Sequence, residues 1–165
     1  MVRISIFIDN SNIFKGFKKY NIKADYEKLK NEITRSRELH GIYLYEGVVH
    51  PIKPGKKKWY NDLKLISGYT VKTSFDKQMD NGVIEKKVDL QMAIDIISLA
   101  YEDKYDTAVI VTGDGDFEPV IEKLKEMDKK VELWAFRYSL ANTLKEKIEE
   151  DKMNFLDDVL SQLKI

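Results

Sequence analysis

The sequence predicts an α/β protein, a three-layer α/β/α sandwich built on a central, mainly parallel sheet. Three observations carry that expectation. Short apolar, β-branched runs alternate along the chain with segments of helical periodicity, the pattern of a parallel sheet with helices on both faces. The run TAVIV at 107–111 holds no charge, as a strand buried on both sides requires. It ends in the turn TGDGD at 112–116, and a helical segment at 117–127 follows at once, with Pro119 near its start where a missing N–H costs little.

The elements follow in order. Residues 4–8 form a first apolar run that stops at Asp9, and Asn10, Ser11 and Asn12 are good helix N-caps, so a strand feeds a short helix through 13–17. Asp25 can cap a second helix reaching about Arg35, with Tyr26, Leu29 and Ile33 on one side. Residues 39–49 read as a strand. Pro51, Pro54 and Gly55 punctuate a loop, and 56–66 make a helix that Gly68 ends. Residues 69–75 read as another strand, and Asp80, Asn81 and Gly82 are turn chemistry. The segment 88–101 is apolar around most of its circumference and should be a largely buried helix with Asp89 at its start. A strand at 131–136, a helix capped by Ser139, a short strand at Phe155 and Leu156, and a terminal helix at 157–163 complete one domain spanning 1–165.

Composition limits the chemistry. The chain has no cysteine, which removes disulfides, thiolate zinc sites and cysteine nucleophiles together, and only His40 and His50 offer imidazoles. No apolar segment approaches 18 residues and no signal segment opens the chain, so the expected setting is cytoplasmic, without membrane contact. The net charge is zero but unevenly spread, +8 over residues 1–88 and −8 over 89–165. A basic contact surface beside an acidic site would produce that asymmetry.

The acidic site can be assembled from topology. Asp9 ends the first strand, Asp114 and Asp116 follow the strand at 107–111, and Asp89 begins the buried helix. The carboxyl ends of strands in an open α/β sheet share one edge, so Asp9, Asp114 and Asp116 should meet there. Carboxylates that close need a cation or a proton. Mg²⁺ or Mn²⁺ suits such a set: oxygen donors only, few of them, with water completing the shell.

Four stretches carry a family resemblance: FIDNSNIF at 7–14, EKKVDLQMAID at 85–95, DTAVIVTGDGDFEPVI at 106–121, and WAF with SLANTL between 134 and 144. In order and spacing they resemble the NYN domains, the PIN-like nuclease branch, in the LabA-like group. The resemblance implies a PIN-like, Rossmannoid sandwich and a metal-dependent ribonuclease site using Asp9, Asn12, Asp89, Asp114 and Asp116.

The residues agree with that chemistry. Phosphodiester hydrolysis needs an activated water, a screened phosphate and a stabilised leaving oxygen, all of which divalent ions supply without His, Cys or Ser. Asp9 and Asp116 are the foremost direct ligands, with Asp89 and Asp114 direct or acting through water. Asn12 can orient a ligand, meet a phosphate oxygen or simply cap its helix. Thr112 and Ser139 offer supporting hydrogen bonds. Asp95 also matches the family pattern, but six positions past Asp89 lie about 120° around a helix, which assigns it a supporting role. Lys86 matches the basic position before Asp89. Lys53, Lys56, Lys57 and Lys58 precede Trp59 and Tyr60, a basic cluster with aromatic neighbours that suits single-stranded RNA, although Trp59 equally fits core packing. Arg137 is a further phosphate candidate.

Two other readings differ in class. A haloacid-dehalogenase-type phosphatase needs a second Asp two residues after the first, and this chain has Ser11 there. The other is a non-catalytic module that binds RNA or protein through the same fold and keeps a residual metal site. A homo-oligomer is possible, though nothing in the sequence indicates one.

Overall fold

The computed structural model describes residues 1–73 and 81–165, with side chains at all of these except 81–86. Six parallel strands form one sheet: β1 (Arg3–Asp9), β2 (Glu38–Glu46), β3 (Thr70–Thr73), β4 (Thr107–Val111), β5 (Lys130–Ala135) and β6 (Met153–Phe155). Their order is β3-β2-β1-β4-β5-β6. The chain therefore builds outward from β1 in one direction, then returns to β1's other side and builds outward again. Ligands in open α/β sheets bind where the strand order reverses, here between β1 and β4.

Both faces of the sheet are covered. On one, α1 (Asn10–Lys19), α2 (Tyr26–Thr34) and α3 (Pro54–Leu65) press Ile13, Phe17, Leu29 and Leu63 onto Ile4, Ile6, Ile8, Val109 and Val111. On the other, α4 (Asn81–Tyr101) and α5 (Glu118–Glu126) press Met92, Ile96, Ile121 and Leu124 onto Phe7, Ala108, Ile110 and Leu133. Alternate residues of β1 and β4 thus enter different cores, which is why the run at 107–111 tolerates no charge. The chain ends in α6 (Asn142–Lys147) and α7 (Leu160–Leu163), and Lys164 bridges back to Ala24.

Several expectations need correction. The fourth helix begins at Asn81 rather than 88, so Asp89 stands within it and not at its start. Residues 83–91 contain no proline, and the glutamate, lysines, leucine and glutamine there are good helix formers, so nothing in them stops the helix from extending. The expected turn at Asn81 and Gly82 is accordingly helical, while Asp80 and the strand residues beyond Thr73 lie outside the described residues. Ser139 caps no helix: it closes a 3₁₀ turn at Arg137–Ser139, and α6 starts after Ala141 without a side-chain cap. The terminal helix is shorter than expected. Asp157 accepts hydrogen bonds from the Tyr20 hydroxyl (2.7 Å) and the Arg137 N–H (3.0 Å), and residues 156–159 turn as a 3₁₀ segment before α7.

Among the described residues no helix is long and apolar enough to cross a membrane.

Candidate metal centre

The site starts from the ends of the two strands that flank the order reversal. Asp9 closes β1 and is 4% exposed. Its Oδ1 accepts the Asn12 N–H (3.2 Å), so the carboxylate caps α1, and its Oδ2 accepts the Thr112 hydroxyl (2.8 Å). Thr112 follows β4 and is fully buried. Its Oγ1 also accepts the Asp114 N–H (3.1 Å), so one hydroxyl ties the first acid to the backbone of the second.

Gly113 is required by a close approach. A Cβ there would meet the Ser139 carbonyl oxygen at 2.6 Å and its carbonyl carbon at 2.9 Å, and backbone cannot give way cheaply. The approach is held by Ala141 N–H donating to the Gly113 carbonyl (3.0 Å), while Gly113 N–H donates to Asn12 Oδ1 (3.0 Å). Asn12 is therefore a staple between α1 and the β4 turn, in addition to any contact with substrate. Asp114 caps the next 3₁₀ turn, Gly115–Phe117, by accepting the Asp116 N–H (2.9 Å).

Asp89 completes the group from α4. Asp9, Asp89 and Asp114 each offer a carboxylate oxygen, and the three oxygens lie within 4.8 Å of one another. At that spacing each ionised pair repels by roughly 3 kcal/mol at an effective dielectric near ~20, a cost that a divalent cation reverses. The donor set is oxygen only and half open to solvent, which fits a hard divalent ion that keeps several waters.

The other expected residues lie as follows. Asp116 is exposed at the rim of the same turn, outside the group of three. Asp95 accepts from the Tyr45 hydroxyl (2.8 Å), Lys72 Nζ (2.7 Å) and Gln91 Nε2 (2.9 Å), and Tyr45 is the β2 residue in register with Asp9. Burial, reinforced by Asp95, pushes the Tyr45 phenol well above its ordinary range, so it stays a donor. The Ser139 hydroxyl is buried with no hydrogen-bond partner in the structure. Arg137 pairs bidentately with Asp158 (2.7 and 2.9 Å) and lies over the Phe155 ring at 4.1 Å, so its donors already face a carboxylate. Lys53, Lys57 and Lys58 are exposed, Lys58 in an ion pair with Asp62 (2.8 Å). The side chain of Lys86 lies outside the described residues.

Sequence reasoning missed Glu46. It closes β2 as Asp9 closes β1, is 5% exposed, and accepts from Asn10 Nδ2 (3.0 Å), Lys56 Nζ (3.0 Å) and the Tyr60 hydroxyl. The Tyr26 hydroxyl donates in turn to Asn10 Oδ1. Burial, with the Glu46 charge nearby, pushes the Tyr26 and Tyr60 phenols up and keeps both protonated. An acid ending an apolar run was the available signal, the same one that marked Asp9.

Residues 3–157 match the NYN domain family. The chain is 29% identical over 131 residues to Low amplitude and bright protein LabA of Synechococcus elongatus, covering 74% of this chain and 68% of that protein. It is 30% identical over 131 residues to Uncharacterized protein MJ0482 of Methanocaldococcus jannaschii, covering 78% of this chain but only 45% of the relative. The crystal structure of a protein of unknown function, VPA0982 of Vibrio parahaemolyticus, superposes with a TM-score of 0.80 over 99% of this chain and 96% of that one, at 21% identity, which shows a shared fold. A match across nearly the whole chain, over a six-stranded parallel sheet with three acids where the strand order reverses, places this chain in the NYN domain family, and with it in the PIN-like nuclease superfamily.

Proposed function

We propose that the chain is a Mg²⁺- or Mn²⁺-dependent ribonuclease that hydrolyses phosphodiester bonds within single-stranded RNA. The observation that carries this reading is the meeting of Asp9, Asp89 and Asp114 within 4.8 Å at the strand-order reversal. The superfamily supplies the reaction class.

Asp9, Asp89 and Asp114 would hold the ion, and Asp116 adds a fourth carboxylate at the rim. The ion, when bound, lowers the pKa of a bound water and screens the phosphate. The chain's own residues do the positioning. Thr112 fixes the Asp9 carboxylate against the backbone of Asp114, and Asn12 fixes the turn between them. Phe117, Val120 and the β4 residues behind the turn are buried apolar packing, so the acids stand on a rigid floor. Lys53 and Lys57, exposed at the start of α3, are the cations with which the protein meets the RNA backbone.

Purified protein with Mn²⁺ should cleave a single-stranded RNA; EDTA should abolish the cleavage and Asp89→Asn should reduce it at least about a hundred-fold. A rate unchanged in EDTA, or in Asp89→Asn, would overturn the assignment. Metal-dependent RNA binding without cleavage over a range of RNAs would make the chain a binding module instead.

A further inference from the structure

A cleft of about 510 Å³ opens between α1 and α3, on the face of the sheet that α1, α2 and α3 cover. Its walls are aromatic: Phe14 and Phe17 from α1, Tyr26 from α2 and Trp59 from α3. Its rim is basic, with Lys18, Lys23 and Lys56. Its floor is the buried polar pair Asn10 and Glu46. None of these residues has a part in holding the ion.

The cleft is built rather than incidental. Glu46 is held by Asn10, Lys56 and Tyr60, and the Tyr26 hydroxyl orients Asn10, so the floor is rigid and fully hydrogen-bonded. Trp59 packs edge-on against Tyr26, with ring centroids 5.1 Å apart, and so stands fixed at the wall. Phe14, by contrast, is 53% exposed. Phe14 and Trp59 line the same cleft, and the cleft's volume falls within the range of small-molecule sites. One peptide bond joins Asp9 in the acid group to Asn10 in the cleft floor, so the cleft and the acid group share the carboxyl end of β1.

We propose that this cleft seats a nucleobase of single-stranded RNA, the base of a nucleotide adjoining the phosphate at Asp9, Asp89 and Asp114. The proposal rests on the nuclease reading for its choice of ligand. Every base has a π-face, and Phe14 and Trp59 offer rings for stacking without selecting a sequence. Lys56 is held to Glu46 at 3.0 Å with its side chain 40% exposed, which leaves part of its donor capacity open, and Lys18 lines the same cleft as a second cation for the backbone of the same strand. The three basic side chains suit an anionic ligand, and the acids next door account for why that anion would be an RNA phosphate carried with a metal ion.

Trp59 provides the readout. The second tryptophan, Trp134, is 1% exposed and gives its Nε1–H to Glu132, so its emission is a constant background. A short oligoadenylate RNA is titrated into the protein in Ca²⁺, which neutralises the acids while its loose coordination suits cleavage poorly. The emission should be quenched, the response should vanish in Trp59→Phe, and Phe14→Ala should weaken binding by about five- to a hundred-fold, with Phe14→Trp restoring it. An oligomer of the same length lacking its bases should bind weakly. Equal affinity for the baseless oligomer, or no effect of Phe14→Ala, would overturn the proposal. So would quenching by free AMP as tight as by the oligomer, which would assign the cleft to a free nucleotide. Cleavage in Mn²⁺ is measured in parallel: cleavage without a Trp59 response overturns the cleft alone, and a Trp59 response without cleavage overturns the nuclease and leaves the cleft as an RNA-binding site.

Discussion

Thr112→Val asks how far the acid group depends on a single hydroxyl. The replacement keeps the shape and removes two hydrogen bonds: the one to Asp9 Oδ2 at 2.8 Å and the one from Asp114 N–H at 3.1 Å. A bond to a charged acceptor contributes about 1.5–3 kcal/mol and a neutral one about 1 kcal/mol, while a buried methyl in place of the hydroxyl returns about 0.8 kcal/mol. The net loss is about 2 kcal/mol. For a chain of 165 residues the unfolding entropy near the midpoint is about 0.35 kcal/mol per degree, so the melting temperature should fall by about 6 °C. Thr112→Ser keeps both hydrogen bonds and should lose less. The measurement is a thermal melt of each variant in EDTA and again in Mn²⁺. In Thr112→Val the gain on adding Mn²⁺ should also shrink, because Asp9 is no longer held toward Asp114. A Thr112→Val protein that melts within about 2 °C of the parent and gains as much from Mn²⁺ would show that the hydroxyl does not organise the group.

Three further outcomes follow from the structure. Asp9→Asn keeps an oxygen for the Asn12 N–H and gives up the charged acceptor of the Thr112 hydroxyl, but it also relieves the repulsion with both Asp89 and Asp114, so its melting temperature in EDTA should equal or exceed the parent's, while its gain from Mn²⁺ should disappear; a clear drop in EDTA would make Asp9 structural. Gly113→Ala would put a Cβ 2.6 Å from the Ser139 carbonyl oxygen, well inside ordinary contact, and should cost about 1–3 kcal/mol in urea unfolding and nearly all cleavage; an unaffected protein would mean that residues 139–141 yield freely. The Arg3 guanidinium holds Asp106 down at about 2, so the pair contributes fully above about pH 4 and is lost as pH falls through about 2. The parent should therefore lose stability faster than Asp106→Asn between pH 4 and 2, and parallel acid limbs would refute the assignment.

Much of this site was legible from residue order alone, for a physical reason. An apolar run that stops at an acid marks a strand end, and parallel sheets bring strand ends to one edge, so Asp9, Asp114 and Asp116 were expected together; Asp9 and Asp114 meet, while Asp116 stands exposed outside the group of three. Asp89 was harder. It was expected at the start of its helix, because Asp80, Asn81 and Gly82 look like a turn, yet Asn81 and Gly82 begin that helix, which the helix formers after them extend. Its place in the group depends on how α4 crosses the sheet, which no local pattern encodes. Arg137 and Lys58 looked like open cations because their acidic partners, Asp158 and Asp62, are recognisable only in space or at helical spacing. Glu46 carried the same signal as Asp9. It was passed over because β2 was extended to 49, which put the acid inside the strand rather than at its end.

The strand order has a consequence for when the acids meet. Ile4 of β1 pairs with Thr107 of β4, and the Arg3 N–H reaches the Asp106 side chain across 103 positions of sequence. Everything between them is the first half of the sheet and the whole of α4. A ribosome extending this chain therefore makes Asp9, Glu46 and Asp89 before Thr112 and Asp114, and until then Asp9 has neither the hydroxyl that orients it nor the third carboxylate of the group. The nascent half-sheet can collapse around β1 with at most one of the group's three repelling pairs, Asp9 with Asp89, in place. The other two repelling pairs enter only with Asp114, after β4, when α1 and α4 are already made.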